Sequence, residues 1–163
     1  MLAFSLRYLT EDWAEALATL NNGLAARSAD PEARAVLEQE ADAWFGASRN
    51  LLVYGSLAPG QSNHGLLTGI HGTWTRGWVT GDLVPTGWGA ALGYPALRCR
   101  PDGPRVEAWL LQAADLPARW SRLDAIEGPA YHRLLAPLWT PAGLAAVGYL
   151  YAAADPGQSP EGE

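Results

Sequence analysis

The chain has 163 residues and a mass of 17.4 kDa, with 48% hydrophobic and 17% charged residues, the make-up of one folded domain with room for a small appendage. Eleven basic against seventeen acidic residues give a net charge of -6 and a pI near 5.0, which argues against nucleic acid and anionic membrane as partners. All the basic residues are Arg, and a chain without Lys has no phosphate-loop lysine, Schiff-base lysine or Ser-Lys dyad.

The first residues, MLAFSLRYLTED, carry no basic leader, and Arg7 interrupts their apolar stretch before a secretory core can form. Residues 1–49 hold eight acidic residues against four Arg, and most of the helical periodicity. Thr10 is a candidate N-cap, and Trp13, Leu17, Leu20 and Leu24 recur on one helical face before Asn21-Asn22-Gly23 weakens the helix end. Asp30-Pro31 supplies a second N-cap and first-turn proline, and Ala33, Val36, Leu37, Ala41 and Trp44 form a second apolar stripe. The pair reads as a helical hairpin that either covers the main domain or makes a homodimer contact, its acidic outer faces being solvated surface; a catalytic role is the alternative.

From Asn50 onward the pattern changes to short apolar or alternating runs punctuated by Gly and Pro, which predicts strands at 50–55, 75–84, 95–99, 105–113, 131–139 and 144–154. One helix is expected among them, over Leu116 to Ile126, with Asp115 as N-cap, Pro117 in the first turn, and Leu116, Trp120 and Leu123 on one face. The uncharged run from Leu134 to Ala154 is long enough for a membrane span, but Pro137, Pro141 and Gly143 break it, so it reads as strand, turn, strand. Six strands and a late helix predict an α+β fold whose mixed or antiparallel sheet curls into a small barrel with flanking helices. The expected organisation is a hairpin extension at 1–49, a barrel domain at 50–155 and a polar, frayed tail at 156–163.

The single cysteine, Cys99, cannot form an intrachain disulfide, and with only His64, His71 and His132 beside it no zinc-binding spacing is present. A reducing cytoplasm is the expected location. Strand alternation turns Arg98 and Arg100 to the face opposite Cys99, which leaves a buried, inert thiol. Ser56 with His64 or His132 is a weak suggestion of a serine hydrolase, since the chain has no GxSxG elbow.

Two segments hold candidate chemistry. In VYGSLAPGQSNH (residues 53–64) a buried strand stops at a small-residue loop, where Gly55 lets successive backbone N–H groups converge on an anion such as a carboxylate. The alternative is an ordinary strand end punctuated by Gly. In LDAIEGPAYHR (residues 123–133), Glu127 falls four residues after Leu123 and seven after Trp120, on the apolar face and in the last turn of its helix. Burial and the negative end of the helix dipole both raise a carboxyl pKa toward the range of a general base; a partly exposed residue paired with Arg122 or Arg133 is the alternative.

The order VYGSLAPGQSNH, GYPALR, LDAIEGPAYHR, VGYLY resembles the gamma-glutamylcyclotransferase family, especially its gamma-glutamylamine cyclotransferase-like branch, over about residues 51–151. The resemblance implies a cofactor-independent enzyme on a small mixed β-barrel, with a small-molecule gamma-glutamyl substrate. It implies that the loop Tyr54, Gly55, Ser56, Leu57 holds the substrate carboxylate and that Glu127 is the catalytic acid/base. Tyr94, with Pro95, is expected to wall the pocket, Trp88 to act as a lid, and Tyr131 and Tyr151 to complete the substrate-binding set. Tyr149 and Tyr151 share one strand face with Val147, where core packing and pocket lining are both open. Ala108 stands where family members often have Gly. The competing readings are a non-catalytic carboxylate-binding module and an interaction scaffold with the same fold.

Overall fold

The computed structural model describes residues 12–27, 30–55, 57–61, 64–85 and 95–153; Thr10, Ser56, Trp88, Tyr94 and the tail 156–163 lie outside the described residues. Helix α1 (Trp13–Ala26) buries Leu20 and Leu24, with Trp13 and Leu17 packed at the edge of the core. It runs through Asn21-Asn22-Gly23 instead of fraying there. Tertiary contacts explain the difference. The Asn21 amide donates to the carbonyl of Leu135 (2.8 Å) and accepts from the same residue's N–H (2.7 Å). Gly23 lies against α2, where a Cβ would come within 3.0 Å of Leu37 Cδ1. Residues that weaken a helix in isolation here form its contact surface.

Helix α2 (Pro31–Phe45) starts as predicted: the Asp30 carboxylate accepts from the Ala33 N–H at 3.2 Å and Pro31 occupies the first turn. It stops at Gly46, whose φ of 64° places it in the left-handed region that favours glycine at a helix end. Val36, expected in the apolar stripe, is 66% exposed. Leu37, Ala41 and Trp44 of the expected stripe pack on the core and Phe45 joins them, a spacing that turns Val36 outward and Arg34 inward.

Six strands follow: β1 (Asn50–Val53), β2 (Thr73–Val84), β3 (Ala96–Cys99), β4 (Arg105–Gln112), β5 (Tyr131–Thr140) and β6 (Gly143–Ala153). They form one sheet in the order β1-β4-β2-β3-β6-β5, closed into a barrel by β1–β6 and β2–β5 pairings. The sheet is mixed. β1 and β3 each run parallel to β6, at Leu51 opposite Tyr149 and Leu97 opposite Ala152, while the other pairs are antiparallel. Residues 134–153 of the uncharged run lie within the β5–β6 hairpin, and no helix among the described residues is long and apolar enough to cross a membrane.

The predicted helix over Leu116 to Ile126 is two elements, a 3-10 turn at Leu116–Ala118 and helix α3 at Trp120–Glu127. Asp115 makes no side-chain cap. Pro117 has no N–H to extend an α ladder, and bonds from Ala118 N to Asp115 O (3.1 Å) and Arg119 N to Leu116 O (2.8 Å) close the turn around it.

Strand alternation sorts the core into two layers. Leu52, Ala108, Leu110, Leu138 and Leu150 fill the barrel, while Leu51, Leu111, Val147 and Tyr149 face outward against Leu24, Phe45, Leu116 and Trp120 of the helical layer. The hairpin stripes are thus packed on the barrel. At the β1–β6 crossing a Cβ on Gly148 would lie 2.8 Å from Asn50 Cβ and 2.9 Å from Asn50 O. Gly148→Ala is expected to cost about 1–3 kcal/mol, read as an earlier urea midpoint with unchanged slope.

Candidate active site around Glu127

Helix α3 carries Glu127 into the protein on apolar anchors: Trp120, Leu123 and Glu127 are its three buried residues, all on one face. The helix ends immediately afterwards at Gly128, whose φ of 82° again favours glycine. Glu127 is 7% exposed, and its carboxyl is pushed up from 4.5 to about 7, chiefly by burial and then by repulsion from Asp124, one turn earlier. Because this folded-state value exceeds the unfolded one, the associated stability is present below about pH 4.5 and is lost as pH rises through about 7. The loss is on the order of 3 kcal/mol. Glu127→Gln removes the buried charge, so urea denaturation should find the variant more stable than wild type at pH 8 and about equal to it at pH 4.

Asp124 faces a different group of partners. Its carboxylate accepts from Arg133 Nε (2.8 Å) and Nη2 (3.1 Å) and from the Tyr151 hydroxyl (2.6 Å). Arg133 Nη2 also reaches Glu38 at 3.0 Å, and the guanidinium stacks over Trp120 and Tyr149 with ring centroids at 4.6 and 4.7 Å. Arg133, considered from sequence as a partner for Glu127, therefore forks onto Asp124 and Glu38.

Tyr54, at the end of β1, donates its hydroxyl hydrogen to Tyr151 O (2.6 Å) and accepts from the Leu97 N–H (2.8 Å). The phenol clasps β3 to β6 where their strand pairing is a single residue pair, and burial pushes its pKa far up. Glu127's charge also disfavours ionisation of Tyr54 and of Tyr151, and Tyr131 acts on Tyr54 in the same way, so these four side chains share one electrostatic neighbourhood. Tyr131 and Tyr151 line a cavity of about 310 Å³ together with Arg34, Asp124, Pro129 and His132, whereas Tyr149 is core. Tyr54→Phe is expected to cost about 1–3 kcal/mol in thermal unfolding, because the Leu97 N–H loses its acceptor and the Tyr151 carbonyl its donor.

Beyond Tyr54 the chain turns, with Ala58 N donating to Gly55 O at 3.0 Å, and Leu57 and Ala58 are 6% and 1% exposed. These two side chains anchor the loop in the helical layer of the core. Ser56 and Tyr94 lie outside the described residues. His64, weighed with Ser56 as a hydrolase pair, has Nδ1 2.9 Å from Leu57 O. Burial pushes the Cys99 thiol up to about 12, while Arg100 pairs with Asp82 and Asp102 at exposed positions. Among the described residues no three His, Cys, Asp or Glu side chains converge where a metal ion could sit.

Sequence reasoning missed Asn21, Arg34, Glu38 and Asp124. The i, i+4 spacing of Arg34 with Glu38 and the i, i+3 spacing of Asp124 with Glu127 were the available signals.

A family model described as gamma-glutamyl cyclotransferase, AIG2-like, matches residues 51–163. Solved structures that align with the chain include YkqA from Bacillus subtilis, 22% identical over 64% of this chain and 35% of that one, with a TM-score of 0.49. An AIG2-like protein from Mus musculus is 26% identical over 65% of this chain and 77% of that one, with a TM-score of 0.46. An uncharacterised protein from Pyrococcus horikoshii is 16% identical over 65% and 78%, with a TM-score of 0.45. The chain thus spans about a third of the length of YkqA (35%) and over three quarters of the other two. No curated protein matches the chain significantly.

Proposed function

The chain belongs to the gamma-glutamyl cyclotransferase, AIG2-like family, and on that premise we propose that it is a gamma-glutamylcyclotransferase of the gamma-glutamylamine type, with Glu127 as its proton carrier. The observation that supports this most is the Glu127 carboxyl, buried on an apolar helix face with its pKa near 7. A carboxylate in that range takes and returns a proton at neutral pH, whereas one near 4.5 is a poor base.

The substrate supplies its own nucleophile. In a gamma-glutamyl compound the α-nitrogen reaches the γ-carbonyl carbon in a five-membered ring, so the protein needs only to orient the chain and move protons. Backbone N–H groups of Gly55, Ser56 and Leu57 hold the α-carboxylate, and Tyr94, Tyr131 and Tyr151 wall the pocket. Glu127 accepts a proton from the α-ammonium, the freed amine attacks the γ-carbon, the γ-amide C–N bond breaks, and the protonated Glu127 donates to the departing nitrogen. The α-nitrogen loses two protons on becoming a lactam N–H, and the leaving amine gains two on departing as an ammonium. Glu127 therefore returns to its carboxylate form, and the products are 5-oxoproline and an amine or amino acid. Incubation with a panel of gamma-glutamyl amines and dipeptides should release 5-oxoproline and amine in equal amounts from at least one member; release from none would overturn the assignment.

A further inference from the structure

The family match begins at Leu51, so α1 and α2 lie outside it, yet α2 is tied to the helix that carries Glu127. Arg34 Nε binds Glu38 at 2.7 Å, and Arg34 Nη2 donates to the Arg133 carbonyl at 2.6 Å. Glu38 binds Arg133 at 3.0 Å, and Arg133 binds Asp124 at 2.8 Å. Asp124 is one turn from Glu127 and repels its charge. The two guanidiniums of this chain of contacts are shielded, the Arg133 and Arg34 side chains being 6% and 11% exposed, while their partners Glu38 and Asp124 are 30% and 42% exposed. Ion pairs with one buried partner are screened less by salt than pairs exposed on both sides, so a charge change in one is felt further along the chain.

We propose that α2 supplies two positioning residues, Arg34 and Glu38, which act on Glu127 through Arg133 and Asp124, so that the N-terminal hairpin is part of the working site and not only a cover. This rests on the reading of Glu127 as proton carrier. The groups that interact electrostatically with Glu127 include Asp124 from its own helix, Tyr54 from the end of β1 and Tyr151 from β6. Arg133 from β5 and Glu38 from α2 set the charge around Asp124. Removing Glu38's negative charge therefore makes ionisation of Glu127 easier, and removing Arg34's positive charge makes it harder.

The test is a carbon-13 NMR titration of the Glu127 carboxyl in the full chain, for wild type, Glu38→Gln, Arg34→Gln and Asn21→Ala. Glu38→Gln should lower the midpoint and Arg34→Gln raise it, each by about 0.3 of a pH unit, the size of one charge acting across a partly screened path. Asn21→Ala breaks the two hydrogen bonds from the hairpin to Leu135, so it should lower the melting temperature and leave the midpoint in place. General loosening cannot give shifts of opposite sign. No shift in either charge variant, or shifts of the same sign, would overturn the proposal. The titration needs no turnover, so its outcome is separable from the cyclotransferase reading. Opposite shifts in a protein that converts no gamma-glutamyl substrate would support the hairpin coupling and count against the enzymatic assignment.

Discussion

Glu127→Gln is expected to reduce turnover by about two to four orders of magnitude, the range for loss of a positioned general acid/base, while substrate affinity stays nearly unchanged. Gln keeps the size of the side chain and can still hydrogen-bond at the same place, but it cannot accept the α-ammonium proton. In the wild type the rate should rise with pH through the titration of Glu127, whose carboxyl lies near 7, and of the substrate α-ammonium. The two interact, so the apparent value belongs to the pair. The same substitution should raise stability at pH 8, because it removes a charge held in an apolar setting. Lost activity together with gained stability separates a working carboxylate from a structural one, whose removal would weaken the fold.

Phe45→Ala should lower stability by about 3–5 kcal/mol, the usual cost of emptying a fully buried aromatic site. Phe45 is 1% exposed, in the layer that also holds Leu24, Leu51 and Tyr149. The loss should appear in urea unfolding as a single earlier transition, since one core layer draws on both the hairpin and the barrel. Val36→Ala, at a 66% exposed position on the same helix, is expected to change stability by less than about 0.5 kcal/mol. Removal of residues 1–46 would uncover the outward faces of β1 and β6, and the truncated chain is expected to lose solubility.

The strands were legible because period-two alternation is a local signal. All six lie within two residues of their predicted ends. The Glu127 helix face was legible for a similar reason: spacing from Trp120 and Leu123 puts its carboxylate among apolar side chains, where it is 7% exposed. What sequence could not show depended on partners far along the chain. The continuation of α1 past Asn21 follows from a backbone segment 114 residues away, and the rotation of α2 that exposes Val36 follows from the inward turn of Arg34 toward Arg133, 99 residues away. The repulsion that adds to Glu127's shift comes from Asp124, a residue that reads as ordinary helix surface until Arg133 and Tyr151 are placed against it.

The most direct measurement of the central claim is product analysis in water enriched in oxygen-18, with a gamma-glutamyl amine as substrate. Intramolecular attack by the α-nitrogen predicts 5-oxoproline carrying no solvent oxygen, formed in equal amount with the free amine and greatly reduced in Glu127→Gln. Formation of glutamate with one oxygen-18 in its γ-carboxyl would show hydrolysis by water and contradict the account.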